Sequence, residues 1–506
     1  MADLFPGVRK RLPKGRQFAL TWGIRDDFGG MTSAMLHRSR ALVRLGRRPV
    51  DVLTFDARPD YPSLAHRLRE DGELTAGMRL FNLYDWFREH PSPPRPDGTP
   101  VPGEFAFTPL GSGPVHESGL REGTVMHRTR RAADGTVLQT DHYREDGSLL
   151  LSDRRDTHTE GRLGGRSVVL CDTAGRPVRA WGAIWPFYRL WLDLVRDGEP
   201  SFLVVDSKPV ARFMLTYRRR RAVTLHVVHN SHLDGEGRQS GRIKESRRPV
   251  FEQLGRFDAV VLLTPRQKAD VEAMLGPSPN LCTVPNSRNV VPPRRPRPER
   301  PPGRGVVIAS LTRRKRVGHA VRAVAAASAR AGGGITLDVY GSGAERRALR
   351  KLVDRLEVRD RVRLLGHRPD ARDQLAEASF VLLTGSTEGL PLVLIEAMAA
   401  GCLPVAYDVP YGPADVITHG RNGFLVEQGN VAELTEAVVR LAGLPAKEIA
   451  RMRGQARRTA KRYSDAAVTR QWAREMRRAR QRHRAAFEAA APAAPVPQGT
   501  SVAAST

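Results

Sequence analysis

From Ser287 to Arg304 the chain reads SRNVVPPRRPRPERPPGR, and no other stretch restricts the possible folds as strongly. Proline has a fixed φ and no amide to donate, so this segment forms neither a helix nor a buried strand. It divides a chain of 506 residues, a length that exceeds what one hydrophobic core usually holds. Short apolar runs alternate with helical spacing on both sides of it, the pattern of doubly wound α/β domains. After the divide the runs are VVIAS (306–310), ITLDVYGSG (335–343), RVRLLG (361–366), SFVLLTG (379–385) and LPVAYD (403–408).

Before the divide the same rhythm starts near Gln17. Ala19, Leu20 and Trp22 open a strand, Gly29 and Gly30 supply a loop, and Thr32 is placed to cap a helix carrying Met35, Leu36 and Leu42. VDVLTF (50–55) is the next strand. The rhythm then breaks. Glu122-Gly123, Asp134-Gly135 and Asp146-Gly147 recur at intervals of twelve, between half-apolar runs such as TVMHRTR and TVLQTDHYR. Such dipeptides join antiparallel strands into hairpins. At Ser201 the alternation resumes with FLVVDS, AVTLHVVHNSH and VVLLT (260–264).

The expected organisation is therefore two Rossmann-like α/β domains with an antiparallel β insertion in the first. The N-terminal domain takes 1–72 and 201–290, the insertion 73–200, the Pro/Arg linker 291–304, and the C-terminal domain 305–465. A basic helix (466–487) and an Ala/Pro tail (488–506), expected to be disordered, complete the chain.

Charge narrows the partners. Lys plus Arg number 82 against 54 acidic residues, a net +28, which concentrates polyanions near the surface. The three cysteines are odd in number and lack metal-ligand spacing, which fits a reduced, cytoplasmic setting. Met1 to Gly15 has no apolar core of a signal peptide, and no run approaches the ~20 apolar residues that span a bilayer. Any membrane association is expected to be peripheral.

One segment points to chemistry. Glu388 to Gly401 reads EGLPLVLIEAMAAG, with Pro391 suited to the first helical position and Gly401 to the position just past the end. Glu388 then lies in the loop at a helix N-terminus, and Glu396 one turn inside. The amides of Gly389, Leu390 and Leu392 face whatever the loop holds. Helix-terminal amides attract phosphate, and carboxylates suit sugar hydroxyls. The combination fits a nucleotide-sugar.

At these residues the chain resembles the retaining glycosyltransferases of family 4, whose signature is two glutamates separated by seven residues. The resemblance implies a GT-B architecture, with the reaction in the cleft between the two domains. It places Glu388 beside the transferred sugar and diphosphate and Glu396 on the ribose. The family's Arg-Leu-x-x-x-Lys pattern after the first C-terminal strand has Ser310 in place of the Arg, followed by Leu311 and Lys315. Lys315 would neutralise the departing diphosphate, and either Arg313 or Arg314 would supply the missing guanidinium. Gly341, in a Gly-Ser-Gly turn, and His367, at the end of a strand, are further nucleotide-site candidates. Gly30 is a candidate phosphate or acceptor contact. His226, His229 and His232 lie at three-residue intervals, but a strand followed by a turn does not converge them. No metal or other cofactor is expected. His229, where the strand ends, is the candidate catalytic histidine.

A narrower resemblance rests on the insertion, HNSH (229–232), Asp408-Val-Pro-Tyr-Gly-Pro-Ala-Asp415 and GRNGFLV (420–426). Together they are similar to the poly(glycerol-phosphate) α-glucosyltransferases, which decorate teichoic acid from a UDP-sugar. This implies a UDP-sugar donor, an anionic polymer acceptor, and a homo-oligomer formed through the insertion. The transferred hexose is glucose or N-acetylglucosamine. Two other readings stay open: transfer to Ser/Thr-rich protein, and a non-catalytic polyanion-binding protein. The 6% aromatic content argues against a stacking platform for nucleic acid.

Overall fold

A computed structural model describes residues 12–91, 105–111, 116–235, 241–289 and 300–490. The tail from 491 and the linker from 291 to 299 lie outside the described residues.

Three sheets organise the chain. Their strands, in chain order, begin with β1 (Arg16–Thr21), β2 (Val50–Thr54) and β3 (Met78–Asn82). Next come β4 (Glu117–Arg121), β5 (Thr124–Arg131), β6 (Val137–Tyr143), β7 (Leu149–Arg154), β8 (Ser167–Cys171) and β9 (Pro177–Trp181). Then follow β10 (Ser201–Val205), β11 (Ala222–Val228), β12 (Ala259–Leu262) and β13 (Leu281–Thr283). The last six are β14 (Arg304–Ile308), β15 (Thr336–Tyr340), β16 (Val362–Gly366), β17 (Phe380–Leu383), β18 (Leu403–Tyr407) and β19 (Phe424–Val426).

The first sheet is parallel, in the order β13-β12-β11-β10-β1-β2-β3, and the C-terminal sheet is parallel, in the order β16-β15-β14-β17-β18-β19. Parallel strands need both faces covered, and every residue of β2, β10, β11, β12, β17 and β18 is buried. In each sheet the order reverses beside the first strand, β1 or β14. Ligands of open α/β sheets gather at the carboxyl ends of strands near such a reversal.

The six strands β4 to β9 form an antiparallel meander. Its hairpins use the expected glycines, but in two ways. Glu122 and Gly123 both have positive φ (48° and 84°), as a two-residue turn between twisted strands requires. At the next turn only Gly135 is left-handed, and it closes on Ala132 by a 2.9 Å hydrogen bond while Asp134 accepts from the Thr136 amide.

The insertion is narrower than 73–200. β3 pairs in parallel with β2, and helix Ile184–Arg196 buries Phe187, Trp191 and Leu192 against the first sheet's aromatic core, where Trp191 meets Phe55 edge-on at 5.1 Å. The α/β domain thus runs on past residue 73 and resumes before 200, and Leu150, Leu151, Val168 and Leu170 of the meander join the same apolar cluster as the helix. The first helix also differs. It begins at Gly30, with Gly29 as its cap, because the Ser33 amide bonds the Gly29 carbonyl; Thr32 lies inside the first turn.

The terminal helix Asp465–Ala489 crosses back onto the N-terminal domain. His37 and Arg44 bond Asp465, the Arg38 guanidinium lies over Trp472, and His483 bonds Asp258 at 3.0 Å. Cys171, Cys282 and Cys402 are all buried and unpaired, and burial pushes their thiols up to about 12. No helix among the described residues is long and apolar enough to cross a membrane.

Candidate active site

The carboxyl ends of the two parallel sheets face each other where the loop before helix Leu392–Ala400 meets the end of β11. Pro391 caps this helix rather than starting it, and Gly401 closes it in the left-handed conformation. An isolated antiparallel bridge pairs Asn230 with Gly389 across the two domains. The Glu388 carbonyl accepts from both the Ser231 and Tyr411 amides, at 3.0 and 3.1 Å, and the Glu388 amide donates to Pro410. A Cβ at Gly389 would lie 1.9 Å from the His229 carbonyl oxygen. Only glycine allows this approach.

On the C-terminal wall, Lys315 bonds Glu388 at 2.6 Å. Arg314 donates to the Thr387 carbonyl at 2.7 Å and lies 3.8 Å from Glu388, whereas Arg313 is almost fully exposed and faces Glu345. Of the two candidate guanidiniums, Arg314 is the one brought to the site. The turn carrying them is clasped from below: the Thr384 hydroxyl donates to the carbonyls of Lys315 and Arg316, and the Ser386 amide to that of Arg314. Ser310 is exposed just after β14. Gly341 packs so tightly beside it that a Cβ would meet the Ala309 carbonyl at 1.8 Å. The Gly-Ser-Gly segment is therefore a close backbone crossing. His367 is exposed beyond the end of β16. Gly30 is exposed at its helix N-terminus, with open space around it, and Leu390 is buried.

Glu396 already has cationic partners. Arg288 bonds it at 2.6 Å and reaches Ser33 of the N-terminal domain with its other arm, while Arg372 approaches to 3.5 Å. Both contacts use one carboxylate oxygen, Oε1. Arg288 stands at the start of the Pro/Arg stretch, and nothing in its own neighbourhood signalled this role.

On the N-terminal wall, His229 Nε2 bonds Asp206 Oδ1 at 2.7 Å, and Arg38 grips both oxygens of Asp206 at 2.8 and 2.7 Å. Burial pushes the Asp206 carboxyl up, but the Arg38 charge and the His229 hydrogen bond outweigh it and leave it at about 2. An ionised Asp206 accepts, so His229 carries its proton on Nε2 and a neutral ring presents Nδ1 as an acceptor. Asp206 follows β10 at the polar end of FLVVDS, a position where such sheets hold functional groups; Arg38 carried no comparable signal.

The other two histidines go elsewhere. His226 bonds the Val205 carbonyl at 3.1 Å, and the fully buried His232 is stacked between Phe251 and Tyr411 with neither ring nitrogen hydrogen-bonded. Burial pushes both down to about 4. The unfolded chain binds these protons near pH 6.5, so stability is complete above that pH and falls as pH drops towards 4, by about 3 kcal/mol per histidine. Denaturant titrations across this range should show the loss, and His232→Phe should make it shallower. A flat profile would mean that these rings accept protons inside the folded protein.

Residues 303–443 match the family model described as glycosyl transferases group 1. The chain is 22% identical over 481 residues to the poly(glycerol-phosphate) alpha-glucosyltransferase of Bacillus subtilis, covering 85% of this chain and 70% of that one. An exopolysaccharide phosphotransferase of Streptomyces coelicolor is 36% identical over 252 residues, which is 49% of this chain; the chain spans only 26% of that protein's length. A crystal structure of S. aureus TarM with UDP and alpha-GlcNAc-glycerol superposes with a TM-score of 0.74 at 19% identity, covering 92% of this chain and all of TarM. The fold and the family match define the class, a glycosyltransferase of the GT-B type. Over most of its length the chain is similar to the poly(glycerol-phosphate) and poly(ribitol-phosphate) glycosyltransferases, at 22% and 21% identity, and its fold is that of TarM.

Proposed function

We propose that the chain transfers a hexose, with retention, from a UDP-sugar to a glycerol hydroxyl of a poly(glycerol-phosphate) chain. The observation that carries this reading is the Lys315–Glu388 pair, held at 2.6 Å where the second domain's helix loop touches the end of β11. The diphosphate would lie on Lys315 and Arg314. The acceptor oxygen would attack the anomeric carbon on the face UDP leaves, and the departing phosphate oxygen would take its proton. Lys315 would stabilise the charge that develops on that oxygen, where a fixed cation in a dry site has its largest effect. Glu388 would hold the sugar and Glu396 Oε2 the ribose. His229 Nδ1 would accept from a sugar or acceptor hydroxyl, with its ring fixed by Asp206. The +28 charge supports a polyanionic acceptor.

These roles separate in kinetics. Glu396→Ala should raise the donor KM about tenfold with kcat little changed, because a ribose contact is the same in ground and transition states. His229→Ala should lower kcat about 10²-fold. Equal, small effects of both would overturn the assignment.

The direct test supplies radiolabelled UDP-glucose and UDP-N-acetylglucosamine with purified poly(glycerol phosphate), and a Ser-rich peptide in parallel. Label on the polymer from one donor is the expected result. Label on the peptide alone would replace the acceptor. Several relatives, among them one from Streptococcus parasanguinis that is 38% identical over 19% of this chain, are named as peptide N-acetylglucosaminyltransferase subunits.

A further inference from the structure

Arg247 is 5% exposed, yet it has no carboxylate partner among the described residues and its Nε donates to nothing. Among other buried guanidiniums, Arg38 is matched by Asp206 and Arg288 by Glu396, while Arg144, which also lacks a carboxylate, donates to the carbonyls of Leu149 and Cys171. Burying an unpaired charge costs several kcal/mol unless something compensates it. Here burial alone acts, and it pushes the Arg247 guanidinium down to about 10.

More positive charge surrounds it. Lys208, just after the end of β10, reaches the Ser246 hydroxyl at 3.2 Å. Lys244, one turn before Arg247, donates its amide to the His232 carbonyl at 2.9 Å. Both lysines are pushed down, first by burial and then by the charge of Arg247, so the three cations feel one another. Lys244 also feels Arg314 across the cleft. Among the described residues, the one acidic group that acts on any of the three is Asp234, near Lys244. Three clustered cations, one of them buried without a counter-ion, amount to an anion site that the protein leaves unfilled from its own side chains.

The position selects the anion. The diphosphate-binding groups of the proposed reaction, Lys315 and Arg314, belong to the C-terminal domain. Arg247, Lys208 and Lys244 belong to the N-terminal domain: Lys208 follows Asp206 by two residues, and the Lys244 amide bonds the carbonyl of His232, three residues beyond His229. We propose that they form a phosphate subsite for the acceptor, holding the phosphodiester next to the hydroxyl that is glycosylated. The proposal rests on the transfer reading above and adds to it the residues that recognise the polymer. A planar guanidinium matches two phosphate oxygens at once, and the flanking lysines act as point charges on the same group or its neighbour. The requirement that the acceptor be a phosphate polymer would then lie in the N-terminal domain.

The test uses the full chain, with Arg247→Met and the Lys208→Gln/Lys244→Gln double variant. Binding of fluorescent poly(glycerol phosphate) is followed by anisotropy, and UDP binding by calorimetry. Each variant should weaken polymer binding at least about tenfold while leaving UDP affinity within about twofold, because charge-assisted contacts to one ligand are lost. The salt dependence of polymer binding should become shallower. Arg247→Met should also keep or raise the melting temperature, since it removes an unpaired buried charge. Weakened UDP binding with unchanged polymer binding would assign the cluster to the donor and overturn the proposal. Unchanged affinity for both would overturn it as well. If the wild-type chain glycosylates the polymer and the variants bind it equally well, the subsite alone is wrong. If the wild-type chain neither binds nor glycosylates the polymer, the acceptor reading falls and the subsite with it.

Discussion

Lys315→Ala should reduce kcat about 10³-fold, the loss expected when one preorganised charge at a leaving group is removed. Lys315 Nζ lies 2.6 Å from Glu388 Oε1, and both side chains are largely buried. The substitution therefore removes the cation proposed for the diphosphate and leaves Glu388 with Arg314 alone, at 3.8 Å. Two measurements separate these effects. Transfer rates at saturating donor report the leaving-group role, and thermal unfolding reports the loss of the ion pair. Lys315→Ala combined with Glu388→Ala should recover most of the stability, because breaking one side of a buried pair costs more than removing both. It should recover none of the activity. A kcat within tenfold of wild type would make the pair a structural tie between the two loops.

Gly389→Ala should be nearly as damaging, for a different reason. The added methyl would fall 1.9 Å from the His229 carbonyl oxygen, 2.7 Å from its carbon and 3.2 Å from the Asn230 Cα. All three are backbone atoms at a bridge between the domains, so no side chain can swing aside. The loop that holds Glu388 must move away from the end of β11, by roughly an ångström, and displacements of that size cost about 10² in rate. The two domains bury separate sheets, so the melting temperature should change little. Rates together with a melting curve decide the matter: full activity would mean that the domains need not touch here during turnover. Gly385→Ala tests the neighbouring position more mildly, because its Cβ would meet the Glu388 carboxylate at 2.6 Å, a side chain that can shift.

Much of the architecture was legible in the sequence because it depends on effects that act over a few residues. Apolar runs with turn residues at their ends marked the parallel strands, and each named run of the C-terminal half overlaps a strand. Proline and arginine between residues 287 and 304 marked the divide. The acidic-glycine pairs marked the hairpins of β4 to β7, since positive φ favours glycine wherever it occurs. The GLP turn, with Gly401 at the helix end, placed Glu388 and Glu396 on one loop and helix.

Tertiary structure alone decided the partners. Arg38 meets Asp206 across 168 residues, and Arg288 meets Glu396 across 108. Such pairs form only where tertiary packing brings residues distant in sequence together, and no local period records them. The same cause moved the edges of the insertion, because β3 and helix Ile184–Arg196 were claimed by an apolar sheet face far away in sequence. It chose Arg314 over Arg313, since a single step around a turn points one guanidinium to Glu388 and the other to solvent. It also left Arg247 buried without a carboxylate. In a chain with 82 basic residues, composition could not single that one out; its burial beside Lys208 and Lys244 did.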